Sequence, residues 1–316
     1  MENLIVMSSP HIHSKATTAG IMRDVLIALL PATVAAVYYF GVYALLMISV
    51  CVASAILSEF FYNLICKNKQ TVGDLSACVT GLLLALNLST KVELWQCALG
   101  AMFAIIVVKC FFGGIGKNFA NPAITARVFL IIAFSSSVGG GALPRFADLQ
   151  AGATPLDIIK NGDVAELPSL LDMLIGNRGG AIGETCALAL ILGFIYLLVR
   201  KVISWHNTVF FAGVVFILSI LITGDVNLAL YQLLGGGLLI GAVFMATDYV
   251  TSPSSRTGKI IFGIGCGVIT VLIRFWGSYP EGVSFAILFM NILSPYIEKI
   301  RVIPALGGIK NDRKEK

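Results

Sequence analysis

The sequence predicts an all-α polytopic membrane protein of about ten transmembrane helices, arranged as two inverted five-helix repeats. Three observations carry that expectation: too little charge for the apolar content, apolar runs of spanning length, and one long polar interruption at mid-chain with related sequence on either side. Apolar residues fill 57% of the 316 positions and charged residues only 12%. A soluble domain carries roughly 25% charged residues, so about half the expected charge is missing. The surplus apolar surface has to face lipid.

Ten apolar runs follow in order: 24–40, 43–66, 75–88, 94–112, 122–138, 183–199, 208–223, 228–247, 260–276 and 283–297. Most approach the ~20 residues that a helix needs to cross about 30 Å of hydrocarbon. Continuous apolarity over such lengths predicts helices, because barrel strands alternate and are half as long.

Lys and Arg set the expected orientation. With the N-terminus in the cytoplasm, the inside gaps hold Lys15, Arg23, Lys67, Lys69, Lys109, Lys117, Arg200, Lys201, Arg256 and Lys259, and the C-terminal tail adds six more. The outside gaps hold Lys91, Arg145, Lys160, Arg178 and Arg274. Sixteen against five is a strong positive-inside bias. Both termini are expected in the cytoplasm of a cell inner membrane, and the net charge of +5 follows from topology, with no nucleic-acid footprint. The first 23 residues lack the apolar region of a cleavable signal peptide.

Residues 139–182 form the long interruption, expected outside the cytoplasm. The expected organisation is therefore a cytoplasmic segment (1–23), a first repeat (24–138), an extracytoplasmic loop (139–182), a second repeat (183–298) and a basic cytoplasmic tail (299–316). Lys109-Cys110-Phe111-Phe112-Gly113 echoes Ile273-Arg274-Phe275-Trp276-Gly277, and Gly81 echoes Gly241, at offsets of 164 and 160 residues. An odd number of spans per repeat makes the halves inverted, as in many transport folds. The short third and glycine-interrupted eighth spans are where such folds place ligands, which points to Thr80, Asn87, Thr247 and Asp248. For the glycines, ordinary small-residue packing is the better reading.

Arg127 lies about a turn and a half inside the fifth span, where an unpaired Arg costs ~2.5 kcal/mol or more. Two readings stand: a partner for an anionic or electron-rich ligand, or a side chain snorkelling to the headgroups. Before it, Gly113–Ala123 combines backbone that can approach a ligand with Asn118 and Asn121. Asn121-Pro122 also reads as a helix N-cap followed by Pro at N1. In the outer loop, Thr154-Pro155-Leu156-Asp157 reads as a capped helix start, which leaves a hydroxyl where a helix N-terminus favours phosphate. The seven cysteines form no C-x-x-C pair. They read as small buried residues, with a cluster ligand shared with another protein of a complex as the alternative.

Ala151-Gly152-Ala153-Thr154 resembles the flavin-attachment motif (Ser or Asp, Gly, any residue, Thr) of the family that holds RnfD, a membrane component of the Rnf complex, and its relative in the sodium-pumping NADH:quinone reductase. The resemblance runs along the chain. It includes Ser9-Pro10-His11, Ile21-Met22, Leu29-Leu30-Pro31, Gly113–Ala123, Phe244-Met245-Ala246-Thr247-Asp248 with Val250-Thr251-Ser252-Pro253, and Tyr279-Pro280-Glu281-Gly282 with Asn291. The short N-terminal segment makes the RnfD branch the expected one. Position 151 is Ala where the family has Ser or Asp, which bears on recognition of the loop by a flavin transferase, and Tyr249 stands where the family has Pro.

The resemblance implies a membrane subunit of an ion-translocating ferredoxin:NAD+ oxidoreductase, with FMN joined by a phosphoester to Thr154 within Gly152, Ala153 and Pro155. Its implied partners are the other membrane and peripheral Rnf subunits, a flavin transferase, Na+ or H+, and the lipid bilayer. No catalytic acid, base or nucleophile and no metal ligand set is implied. A second, noncovalent flavin (riboflavin) is expected near Asn87, Asn118, Asn121 and Arg127, or near Asp248. The rival reading is a stand-alone channel or secondary transporter with no redox role, and a scaffold protein that has lost its cofactor is a third.

Overall fold

The computed structural model describes residues 17–138, 142, 144, 154–162, 167–279 and 281–300. Helices stand at all ten predicted places, and no strand occurs among the described residues. Five helices are long and apolar enough to cross a membrane unaided: α1 (Thr18–Phe40), α2 (Val42–Ile65), α10 (Trp205–Thr223), α13 (Arg256–Trp276) and α14 (Val283–Ile300). A sixth span is broken. Helix α11 (Val226–Leu234) meets α12 (Leu238–Ile240), which runs on as a π-helical turn to Met245, at a bend of 59°. Gly236 and Gly237 turn the chain there at φ 62° and 65°, a conformation that disfavours a Cβ. Four shorter apolar helices complete the set: α3 (Ser76–Leu86), α4 (Leu94–Phe103, continued as a π-helical turn to Cys110), α5 (Pro122–Ala133) and α9 (Ala187–Val199). Three small helices lie between the halves: α6 (Ser135–Val138), α7 (Pro155–Asn161) and α8 (Leu170–Ile175).

A stripe of small residues on α1 faces inward. On α1, Ala28, Ala32 and Ala36 are buried, while Leu30, Val34 and Tyr38, one turn apart, are exposed. That arrangement suits a lipid-facing helix, since lipid supplies no hydrophobic force between helices and small residues let backbones approach.

The short α3 escapes the spanning requirement because it does not face lipid: every residue from Val79 to Leu86 is buried. Gly81 lets it lie directly on α2, where an added Cβ would stand 2.8 Å from the Cys51 carbonyl oxygen and from the Val52 Cα. Its C-terminal carbonyls are satisfied from the second half of the chain. Gly183 N–H donates to the Leu86 carbonyl (2.8 Å) and Ile182 N–H to that of Leu88 (3.0 Å), filling acceptors that a helix end leaves open.

That contact corrects one boundary. The sequence predicts the sixth span from 183, but the helix begins at Ala187, because residues 182 and 183 pair with the end of α3. The fifth, expected to run to 138, breaks at Phe134 before α6.

Contacts within the two halves match. Helix α2 packs on α3 and α4 as α10 packs on α11 and α13, and the halves meet through α1 against α9 and α5 against α14. Gly81 and Gly241 do not play equivalent parts, however. Gly81 faces α2, whereas a Cβ on Gly241 would meet Val283 and Ile287 of α14.

Candidate functional site

Thr154 is the N-cap of α7, as its sequence context predicts. Its N–H donates to Asp157 Oδ2 (3.0 Å), its hydroxyl donates to the same oxygen (2.7 Å), and Asp157 N–H donates back to Thr154 Oγ1 (3.2 Å). Pro155 occupies N1, whose N–H would have had no partner. The residue at 154 is 4% exposed. Leu156 seats the helix on the α11 break, so close that a Cβ added to Gly236 would collide with it, and Lys160 Nζ donates to the Gly277 carbonyl (2.6 Å). The remaining predicted attachment residues, Gly152 and Ala153, lie outside the described residues with Ala151, as do Ser9-Pro10-His11 and Pro280.

A cavity with about 80 Å³ of water-accessible space opens at the N-terminal ends of α3 and α5. Asn118, Asn121, Asp248, Thr80, Thr247 and Lys109 give it polar groups, and Val79, Leu83, Val243 and Phe244 give it apolar walls. Asn121 Oδ1 caps α5 by accepting from Ala123 and Ile124 N–H (3.0 and 3.3 Å), which leaves its amide nitrogen to donate to Asp248 Oδ2 (3.4 Å). Burial pushes the Asp248 carboxyl above the usual range. The Asn118 side-chain oxygen is buried without a partner among the described residues. Lys109, 2% exposed, is neutralised at the cavity's edge by Glu59 of α2 (2.8 Å) and donates to Ser76 Oγ (2.6 Å).

The other polar group lies at the opposite end of α3. Arg127 is 5% exposed and does not snorkel. Its Nη1 donates to Asn87 Oδ1 and Ser284 Oγ (3.1 Å each), and its Nη2 donates to Glu281, so one side chain ties α5 to α3 and α14. The structure thus divides the predicted second-flavin set: Asn118, Asn121 and Asp248 line the cavity, while Asn87 and Arg127 bond to each other away from it.

Two further arginines hold the α11 break. Arg178 (1% exposed) donates to the carbonyls of Leu234, Glu184 and Thr185, and Arg274 (5% exposed) to those of Gln232, Gly235 and Gly236. Cations at a helix C-terminus meet both its open carbonyls and the negative end of its dipole. Among these cations sits Glu184, 3% exposed, in the irregular segment ahead of α9. Its Oε1 accepts from Ala181 N–H (3.0 Å), and its Oε2 has no partner among the described residues. Burial, then Glu281, pushes its carboxyl up to about 7, against the pull of Arg127 and Arg178.

The sequence reading places Arg178 and Arg274 among the gap cations and gives Glu59, Glu184 and Glu281 no role. One signal is present: Glu59 and Glu184 stand within the predicted apolar runs, where an ionisable residue calls for a partner, and Lys109, counted with the inside gap, also falls within the end of the fourth run. Which residue answers which is not readable from spacing.

Apolar helices of spanning length, one broken span and a buried charge cluster beside it define a polytopic membrane protein. The chain is 44% identical over 299 residues to the D component of the Na(+)-translocating ferredoxin:NAD(+) oxidoreductase complex of Acetobacterium woodii, covering 94% of this chain and 93% of that one. It is 36% identical over 308 residues to the D component of the proton-translocating ferredoxin:NAD(+) oxidoreductase complex of Clostridium ljungdahlii (93% of each). To the D component of the ion-translocating oxidoreductase complex of Stutzerimonas stutzeri it is 37% identical over 326 residues, covering 90% and 91%. The model of the NQR2, RnfD, RnfE family matches residues 5–305, and the chain belongs to that family.

Proposed function

We propose that this chain is the RnfD-type membrane component of an ion-translocating ferredoxin:NAD+ oxidoreductase complex, relaying electrons through FMN esterified to Thr154 and coupled to movement of Na+ or H+. The observation that carries the reading is likeness along more than nine-tenths of the chain to components of complexes so named. The two complexes are named for different ions, Na+ in one and the proton in the other. The excess of Lys and Arg in alternate gaps supports cytoplasmic termini and an outer position for Thr154.

The residues at Thr154 fit the group in kind. The hydroxyl stands at a helix N-terminus, and Pro155 fixes the backbone that presents it. Bound there, FMN supplies one- and two-electron redox chemistry, while the protein supplies position and electrostatics. An esterified oxygen would have no proton to donate, so the hydroxyl bond to Asp157 would be lost while the Thr154 N–H bond to the same carboxylate could remain.

The chemistry of the cavity lining, once the cavity widens, suits a second flavin. Its unpartnered Asn118 oxygen, the Asn121 amide, Asp248 and Thr80 offer hydrogen bonds to a ring edge, and Val79, Leu83 and Phe244 offer flat apolar walls. Asn118 and Asn121 would hold riboflavin; Asn87 and Arg127 serve the charge cluster instead. The other Rnf subunits are the proposed partners.

The test is to express the chain with its flavin transferase, separate it on a denaturing gel and read flavin fluorescence and intact mass. A fluorescent band heavier by FMN less water, lost in Thr154→Val and kept in Thr154→Ser, is the expected result. A dark band, with the transferase active on another substrate, leaves a transporter or a cofactor-free scaffold as the better account.

A further inference from the structure

We infer that Glu184 is a proton-binding site of this protein, loaded and discharged by Arg127 changing partners between Glu281 and Glu184. Three observations place the site. Glu184 Oε2 is buried and takes no hydrogen bond from the described residues, a costly state for an ionised carboxylate and a mild one for a neutral acid. It points at the α11–α12 break, where a Cβ on Gly237 would stand 2.9 Å from Glu184 Oε2 and 3.4 Å from Arg127 Nη1. The carboxylate and the guanidinium therefore converge on one spot without bonding. Arg127 instead spends its charge on Glu281, whose side chain is 21% exposed and reaches solvent.

The charged groups that face Glu184 are Arg127 from α5, Arg178 after α8, Arg274 from α13 and Glu281 ahead of α14. Arg178 and Arg274 are committed to carbonyls of the α11 break and of the segment before α9. Of these three arginines, Arg127 is the one bonded to a carboxylate, and its Nε has no partner among the described residues. While Arg127 holds Glu281, Glu184 carries a proton. When Glu281 swings to water, Arg127 turns to Glu184, the O–H bond breaks, and the proton leaves to solvent past Glu281. The cluster gives up one proton and gains one negative charge on Glu184, and no electron moves.

A proton suits this site better than a metal cation. A hard cation needs several oxygen ligands at once, and the carbonyls of Gln232, Leu234, Gly235 and Gly236 already accept from arginines.

Infrared titration of the purified full chain in lipid nanodiscs tests the site independently of any flavin. We expect a protonated-carboxyl band that titrates near neutrality, disappears in Glu184→Gln, and is indifferent to exchanging Na+ for K+. In Glu281→Gln, freed Arg127 should lower the proton affinity of Glu184 by about tenfold or more. A band that survives Glu184→Gln, or an unmoved midpoint in Glu281→Gln, overturns the proposal. A midpoint that shifts with Na+ assigns the site to a metal cation and overturns it too. Should Glu184→Gln fail to fold, the comparison of Glu281→Gln with the unaltered chain decides alone.

Discussion

Glu59 and Lys109 show what a single residue can and cannot disclose. Each is visible in the sequence as a charge inside an apolar run, yet they stand 50 positions apart, and nothing local names one as the other's partner. Removing one partner of a buried pair strands the other, at a cost of roughly 3–5 kcal/mol, whereas removing both is far milder. Glu59→Gln or Lys109→Met alone should therefore sharply lower the thermal midpoint in detergent, and the double variant should recover much of the loss. Asn121 and Thr154, by contrast, are readable as caps, because a cap is a relation between neighbours in sequence. Glu184 adds a dependence on pH. Its carboxyl stands at about 7 in the fold against an ordinary 4.5. A raised folded value means that its stabilising share is complete below about 4.5 and lost as pH rises through about 7. The unaltered chain should accordingly lose thermal stability over that window, and Glu184→Gln should flatten the loss.

At the scale of elements, long helices are the most legible. Continuous apolarity fixes α1, α2, α10 and α13 whatever surrounds them; their far ends fall within a residue of expectation, while α1 starts at Thr18, six residues before the predicted 24. The short elements are decided by tertiary contact. Nothing local says that α3 can be 11 residues long, since that length is allowed only by its burial and by carbonyl partners from residues 182 and 183. Gly81→Val should be far more damaging than Gly213→Val. The first forces a side chain into the α2 backbone, while a Cβ at Gly213 meets nothing within 4 Å. Overpacking costs typically about 1–3 kcal/mol, and here the rigid neighbour is backbone, so the upper end applies. Folded yield after solubilisation reads the difference.

For the whole molecule, the two-halves expectation rests on faint sequence echoes, one of which (Gly81 with Gly241) fails in detail. The packing order repeats nonetheless, and each interface between the halves named above carries one arginine–carboxylate pair. Arg200 meets Asp24 where α9 packs on α1 (3.2 Å), and Arg127 meets Glu281 where α5 packs on α14. The first pair is half exposed and worth at most about 1 kcal/mol. The α1–α9 contact rests instead on Gly193, where an added Cβ would collide with the Ala28 carbonyl oxygen. If ion movement follows rocking of one half on the other, a crosslink between α1 and α9 should abolish ion uptake by the reconstituted complex. Uptake at the uncrosslinked rate would count against that motion.

The capping of α3 by residues 182 and 183 also bears on how the chain is made. A ribosome delivers α3 to the membrane roughly a hundred residues before Gly183 is available to close its last carbonyls. An 11-residue segment is too short to settle in lipid alone. The first half therefore has to wait, incompletely inserted, for the start of the second. A truncated product ending at residue 138 should be recognised as unfinished and degraded, even though it contains α1 to α6 complete.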